Sequence, residues 1–158
     1  AKRLAQKLNL KASEVSNIYI AGLMYDIGSY ILSARHKEVY EKVLSTETLF
    51  ERFSLEDKVF GTNSINLTCE ILSSYEFPKS ILNIIRSQNL YYDNNDYKLA
   101  NAIIDIATQL GGADTPDQRD LLDIFSSEAA VIFGLNNINL DPKFIQKLNH
   151  EIIEFTQF

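Results

Sequence analysis

Apolar residues return every three or four positions along this chain, and no run alternates apolar with polar over the length of a strand. On a helix that spacing gathers the apolar residues on one face, so the pattern predicts an all-α fold. At 158 residues one domain with a sizeable core is expected. With no glycine-rich phosphate loop, internal repeat or low-complexity linker in view, the expectation is a bundle of about eight helices.

Leu4, Ala5 and Leu8 mark a short opening helix, and Ser13 is placed to cap a second one. Ile20, Leu23, Met24, Ile27 and Ile31 recur along that second helix, while Val15, Ile18, Tyr19 and Tyr30 cover its other side. So apolar a helix is expected to be central and buried. A third helix carries Val39, Tyr40, Val43, Leu44 and Phe50. Ser54 reads as the cap of a fourth, running through Leu55, Val59 and Phe60 towards Leu72. Pro78 fits the first turn of a fifth helix with the stripe Ile81, Ile84 and Ile85. Beyond a polar loop at Asp93–Asn95, a sixth covers Tyr97 to Leu110 and stops at Gly111-Gly112. A seventh follows Pro116, and an eighth runs from Asp141-Pro142 to the end. Ile20, Leu23, Met24, Ile27, Leu72, Ile84 and Ile104 are expected in the core.

A net charge of −6 with scattered Lys and Arg argues against nucleic-acid binding. The most apolar stretch, Ile18 to Tyr25, is too short to cross a bilayer, so no membrane insertion is expected. Cys69 stands alone among Leu67, Ile71 and Leu72, which suits a buried thiol and a cytoplasmic location. Because Ala1 already reads as helical, the chain is expected to be a piece of a longer polypeptide.

Four segments carry a resemblance. AGLMYDIGSYIL, residues 21–32, is similar to the AGLLHDIGxxVL segment that names the HD superfamily of metal-dependent phosphohydrolases, with Tyr25 at the His position and Asp26 at the Asp. FGTNSINLTCEILSSYEFP, residues 60–78, resembles the FGxDHAEVGAxLLxxWxLP stretch; Asn63-Ser64 replaces its Asp-His pair and Thr68 its glycine. The helix after Pro78 resembles the AIxxHH element, with Gln88-Asn89 where the histidines would stand. IIDIATQLG resembles the closing LADxLAxxLG element and keeps Asp105. The tail VIFGLNNINLDPKFIQKL looks like the ending of one branch, the HD-related output domains (HDOD). The resemblance implies an HD-like helical core over residues 1–110, with C-terminal helices 115–158 packed on it. It also implies a further helical half before Ala1.

A hydrolytic HD site needs imidazole and carboxylate ligands converging on metal, and Tyr25, Ser64, Gln88 and Asn89 are poor substitutes. His36 and His150 read as solvated surface side chains. No catalytic residue, metal or cofactor is therefore expected. Asp26 on the apolar helix and Asp105 are read as buried carboxylates compensated by Asn63, Ser64, Gln88, Asn89 and, for charge, Arg86. Tyr25 is read as filling the former metal cavity. The implied function is a non-catalytic output or interaction module in bacterial signalling, with a protein partner. Two alternatives stay open: a sensor holding a nucleotide or other small anion in the vestigial cavity, and an active phosphohydrolase or cyclic-dinucleotide phosphodiesterase. Tyr91 and Tyr92, in a polar loop, are candidate partner contacts.

Overall fold

The computed structural model describes residues 1–46, 48–90, 96–112 and 130. They form eight α-helices and one 3₁₀ turn, and no strand occurs among them: α1 (Lys2–Lys7), α2 (Ala12–Met24), α3 (Ile27–Arg35), α4 (Lys37–Leu44), α5 (Leu49–Phe60), α6 (Ser64–Ser74), α7 (Lys79–Arg86), the 3₁₀ turn Ser87–Leu90, and α8 (Lys98–Gly112). The all-α expectation holds. The chain divides into two compact units, Ala1–Ser16 with Ala102–Phe158, and Asn17–Asn101. The helices expected over residues 115–158, apart from Ala130, and His150 lie outside the described residues.

In the first unit Leu4, Ala5 and Val15 are buried, and so are Ala102, Ile103, Ile104, Ile106 and Leu110 of α8. Asn9 turns the chain between α1 and α2 with φ 56°, a left-handed conformation that asparagine tolerates. α2 begins at Ala12, so Ser13 lies inside it; the carboxylate of Glu14 instead accepts from Lys11 N at 3.0 Å.

The second unit corrects several expectations. The long apolar helix is two helices, broken at Tyr25–Asp26. The break turns Leu23 outward, 52% exposed, and leaves Ile20, Met24 and Ile27 only half-buried. Met24 and Ile27, on either side of the break, keep a helical spacing of three, so periodicity alone reads straight through it. A new helix starts after Thr48, whose Oγ1 accepts from Glu51 N at 3.2 Å while Thr48 N donates to the Glu51 carboxylate at 3.2 Å. This reciprocal capping box places Ser54 inside α5 rather than at a helix start. α5 and α6 are also separate: Gly61, at φ 73°, ends α5 in the left-handed conformation that glycine adopts without penalty. Pro78 stands one residue ahead of α7 as its N-cap, and α8 runs through Gly111 and Gly112 instead of stopping before them.

The centre of this unit is α6, which packs on α3 and α7 and touches α5. It buries Ile65, Cys69 and Leu72, while α7 buries Ile81, Leu82, Ile84 and Ile85. Leu32, Tyr40 and Val43 form a second cluster, covered by Leu55, Phe60 and Leu67. The crossing of α3 on α6 is very close. A Cβ on Gly28 would overlap the carbonyl oxygen of Ser64 and lie 2.9 Å from Thr68 Oγ1. Backbone cannot yield as a flexible side chain can, so Gly28→Ala should force the two helices apart. The expected loss is about 1–3 kcal/mol or more in urea unfolding, as for other overpacked sites; an unchanged midpoint would show the crossing to be looser than described.

Candidate functional site

The break between α2 and α3 frees backbone groups, and α6 supplies their partner. Thr68 Oγ1 accepts from Gly28 N at 2.9 Å and lies within donating reach of the carbonyl oxygens of Tyr25 at 3.2 Å and Ser64 at 2.9 Å. Asp26 is the N-cap of α3 but makes no side-chain capping bond, so a hydroxyl from 40 residues away serves the first turn of that helix. The Thr68 that replaces the family's glycine is therefore a working part of this crossing.

α5 adds a buried charge. Glu56 is 0% exposed, and its carboxylate is shared among three elements. Oε1 accepts from Arg52 Nε at 3.1 Å, one helical turn back, and from the Tyr40 hydroxyl of α4 at 2.9 Å. Oε2 accepts from Ser64 N, the first amide of α6, at 2.6 Å. A carboxylate at a helix N-terminus satisfies a donor without a helical partner and meets the positive end of the helix dipole. Arg52 Nη2 also donates to the Tyr40 oxygen at 2.8 Å and to Ser29 Oγ of α3. Burial pulls the Arg52 pKa down, but Tyr40 and Glu56 outweigh it and hold the guanidinium above its ordinary value. Burial is the largest reason the Tyr40 phenol is pushed above the usual tyrosine range; its bond to Glu56 adds to this, while Ser29 and Arg52 oppose it.

This network places the expected site residues. Asp26 is not buried: its side chain is 61% exposed, and its charge partner is Arg52 at 3.9 Å rather than Arg86, which is itself exposed. The break in the helix carries Asp26 out of the apolar face it was assigned to. Tyr25 is half-buried and takes part through its backbone carbonyl. Asn63 caps α6 by accepting from Asn66 N at 2.9 Å, and its amide donates to Asp57 at 3.0 and 3.2 Å, which holds the turn at Gly61. Ser64 is 1% exposed. Its Oγ and Gln88 Nε2, in the 3₁₀ turn, are buried without a hydrogen-bond partner. Asn89 follows in the same turn. Asp105 belongs to the other compact unit, where it accepts from Gln109 Nε2 at 3.0 Å. Tyr91 and Tyr92 lie outside the described residues. His36 is exposed, as expected, at the junction of α3 and α4, with its ring 5.1 Å from that of Phe60. Cys69 is buried, its Sγ 3.8 Å from the Leu82 carbonyl oxygen, and burial pushes the thiol up.

Arg52, Glu56, Tyr40 and Ser29 were not among the expected site residues. The i, i+4 spacing of Arg52 and Glu56 was a readable signal, but it also describes an ordinary solvated salt bridge. Only the packing of α4 and α6 over it buries Glu56 and covers most of Arg52.

Among the described residues no three His, Cys, Asp or Glu side chains converge as metal ligands. Hydroxyls and amides at positions 64 and 88, with Asp26 turned outward, do not fit the hard-and-soft donor shell of a hydrolytic metal site. An all-α unit that carries three of the HD-like segments in order, with Tyr25, Ser64, Gln88 and Asn89 at the histidine positions, defines a helical relative of that superfamily. A family model of the HDOD domain matches residues 1–91, and the chain belongs to that family. No curated protein and no solved structure matches it.

The geometry reverses the expected ranking of two residues. Asp26→Ala should cost no more than about 1 kcal/mol, since a contact at 3.9 Å made by a carboxylate that is 61% exposed contributes little. Thr68→Val keeps the shape but orphans the buried Gly28 N, and about 1–3 kcal/mol should be lost. Urea unfolding of the two variants checks this; a larger effect for Asp26 would reverse the assignment.

Proposed function

We propose that this HDOD domain is a non-catalytic output or interaction module of bacterial signal transduction, working in the cytoplasm through a protein partner. The observation that supports this most is the use made of the former metal positions. Asn63 is a helix cap, Ser64 offers its amide to Glu56, and Asp26 points outward towards Arg52. Activating water at neutral pH requires a metal held by several converging ligands, and these residues are committed to joining helices instead. No helix among the described residues is long and apolar enough to cross a membrane.

Hydrolysis is the reading this proposal argues against, and it can be assayed directly. The purified chain, incubated with Mg²⁺, Mn²⁺ or Fe²⁺, is expected to turn over neither cyclic dinucleotides nor phosphomonoesters above the rate of metal alone. Metal-dependent turnover that disappears in Asp26→Ala would make the protein an enzyme and end the proposal.

A further inference from the structure

α3 is apolar on two sides, and only one of them is used by the fold. Gly28, Ser29 and Leu32 are buried where the helix packs on α6 and α4. Ile27, Tyr30, Ile31 and Ala34 follow at i, i+3, i+4 and i+7, a spacing that gathers them on the opposite side. Tyr30 is 75% exposed, Ala34 is exposed, and the two isoleucines are half-buried. A helix that is apolar all round is normally covered all round, because apolar surface left in water forgoes the gain from burial.

The apolar side continues back across the helix break. Tyr25 N donates to the Ala21 carbonyl at 2.9 Å and Tyr30 N to the Asp26 carbonyl at 3.0 Å, so α3 begins where α2 ends, with no linker between them. Leu23, the exposed residue of the last turn of α2, lies three residues from Asp26 and four from Ile27, within a single turn of chain from both. Leu23, Ile27 and Tyr30 thus make one apolar strip with Asp26 beside its middle.

Asp26 gives the strip its charge. Between Val15 and Ala34 it is the only charged side chain in the sequence. Its carboxylate is 61% exposed and makes no capping bond to α3, and its cationic neighbour Arg52 stands 3.9 Å away. The short contacts of that guanidinium go elsewhere, to Glu56, Tyr40 and Ser29. Asp26 therefore presents acceptors to whatever covers the strip.

Shape and charge together select the occupant. The strip residues recur at helical spacing, and no strand among the described residues offers an edge, so the matching shape is a second helix laid along them, ridge into groove. A second copy of this chain is disfavoured, because a two-fold contact centred on the strip would set one Asp26 against the other. A phosphate-bearing surface would meet the same carboxylate on a chain of net charge −6. A cation set in an apolar helix face meets both demands.

We infer that the Leu23–Tyr30 strip of α2 and α3 docks an amphipathic helix of a protein partner, whose apolar ridge covers Leu23, Ile27 and Tyr30 and whose Lys or Arg pairs with Asp26. This rests on the interaction reading and supplies the surface and the partner chemistry that reading lacks.

Fluorescence anisotropy with two labelled synthetic helices, titrated with the purified full chain, tests it. Both peptides carry one leucine stripe on an uncharged alanine and glutamine background; one has a lysine beside the middle of the stripe and the other a glutamate. The lysine peptide should bind about tenfold more tightly than the glutamate peptide, or better. Leu23→Ser and Tyr30→Ser should each weaken it by about tenfold. Both variants should melt close to wild type, since each side chain is at least half exposed. Asp26→Lys should reverse the preference between the peptides, a comparison made within one protein and so independent of its stability. Equal binding of the two peptides, no binding of either, or an affinity indifferent to Leu23 and Tyr30 would overturn the inference. So would a wild-type dimer in sedimentation that Tyr30→Ser dissolves, because a second copy would then hold the strip. None of these outcomes touches the non-catalytic reading, which fails instead on metal-dependent turnover.

Discussion

The junction of α4, α5 and α6 depends on one buried carboxylate. Glu56 carries a charge into a position with no solvent exposure, which is tolerable only because three separate elements donate to it. Arg52 neutralises it, Tyr40 ties it to α4, and the Ser64 amide ties it to the start of α6. An ion pair of this kind is a weak source of net stability, since desolvation offsets much of the attraction. Its effect lies in specificity. Any arrangement that moves α4 or α6 away from α5 strands a charge.

Arg52 extends the same network to α3 through Ser29, and Thr68 completes it from α6. The break at Tyr25–Asp26 is thus held from two sides, by a guanidinium on one and a hydroxyl on the other. Gly28 is the steric condition for both, because only a residue without Cβ lets α3 come close enough for Thr68 to reach its amide. The segment that names the superfamily has kept its place and its Asp26 but has Tyr25 for the histidine, and the residues around it fasten helices together.

Much of this was legible in the sequence. Helical periodicity pointed to the fold class, the three motifs within residues 21–91 to the family, and the apolar neighbours of Cys69 to its burial. Leu72, Ile84 and Ile104 are buried as their stripes suggested. The failures share a cause. A helix can break without changing its apolar phase, so the pattern around Met24 and Ile27 hid the turn that exposes Leu23 and Asp26. The device that stabilises that turn, Thr68, is 40 residues away and invisible to any local rule. The start of α5 was readable, since Thr48 and Glu51 have capping-box spacing, but Ser54 offered a rival cap. Charges fare worst: Arg52 and Glu56 look like a solvated face until α4 and α6 cover them.

The most direct measurement is a double-mutant cycle on Arg52 and Glu56, with Arg52→Met, Glu56→Leu and the pair compared by urea unfolding at neutral pH. Each single change strands a buried partner and should cost about 3–5 kcal/mol. The double variant should cost less than the sum of the two by about 2 kcal/mol or more, the signature of groups that share one network. Additive losses, with coupling near zero, would mean that the two side chains act independently and that Glu56 does not hold the unit together.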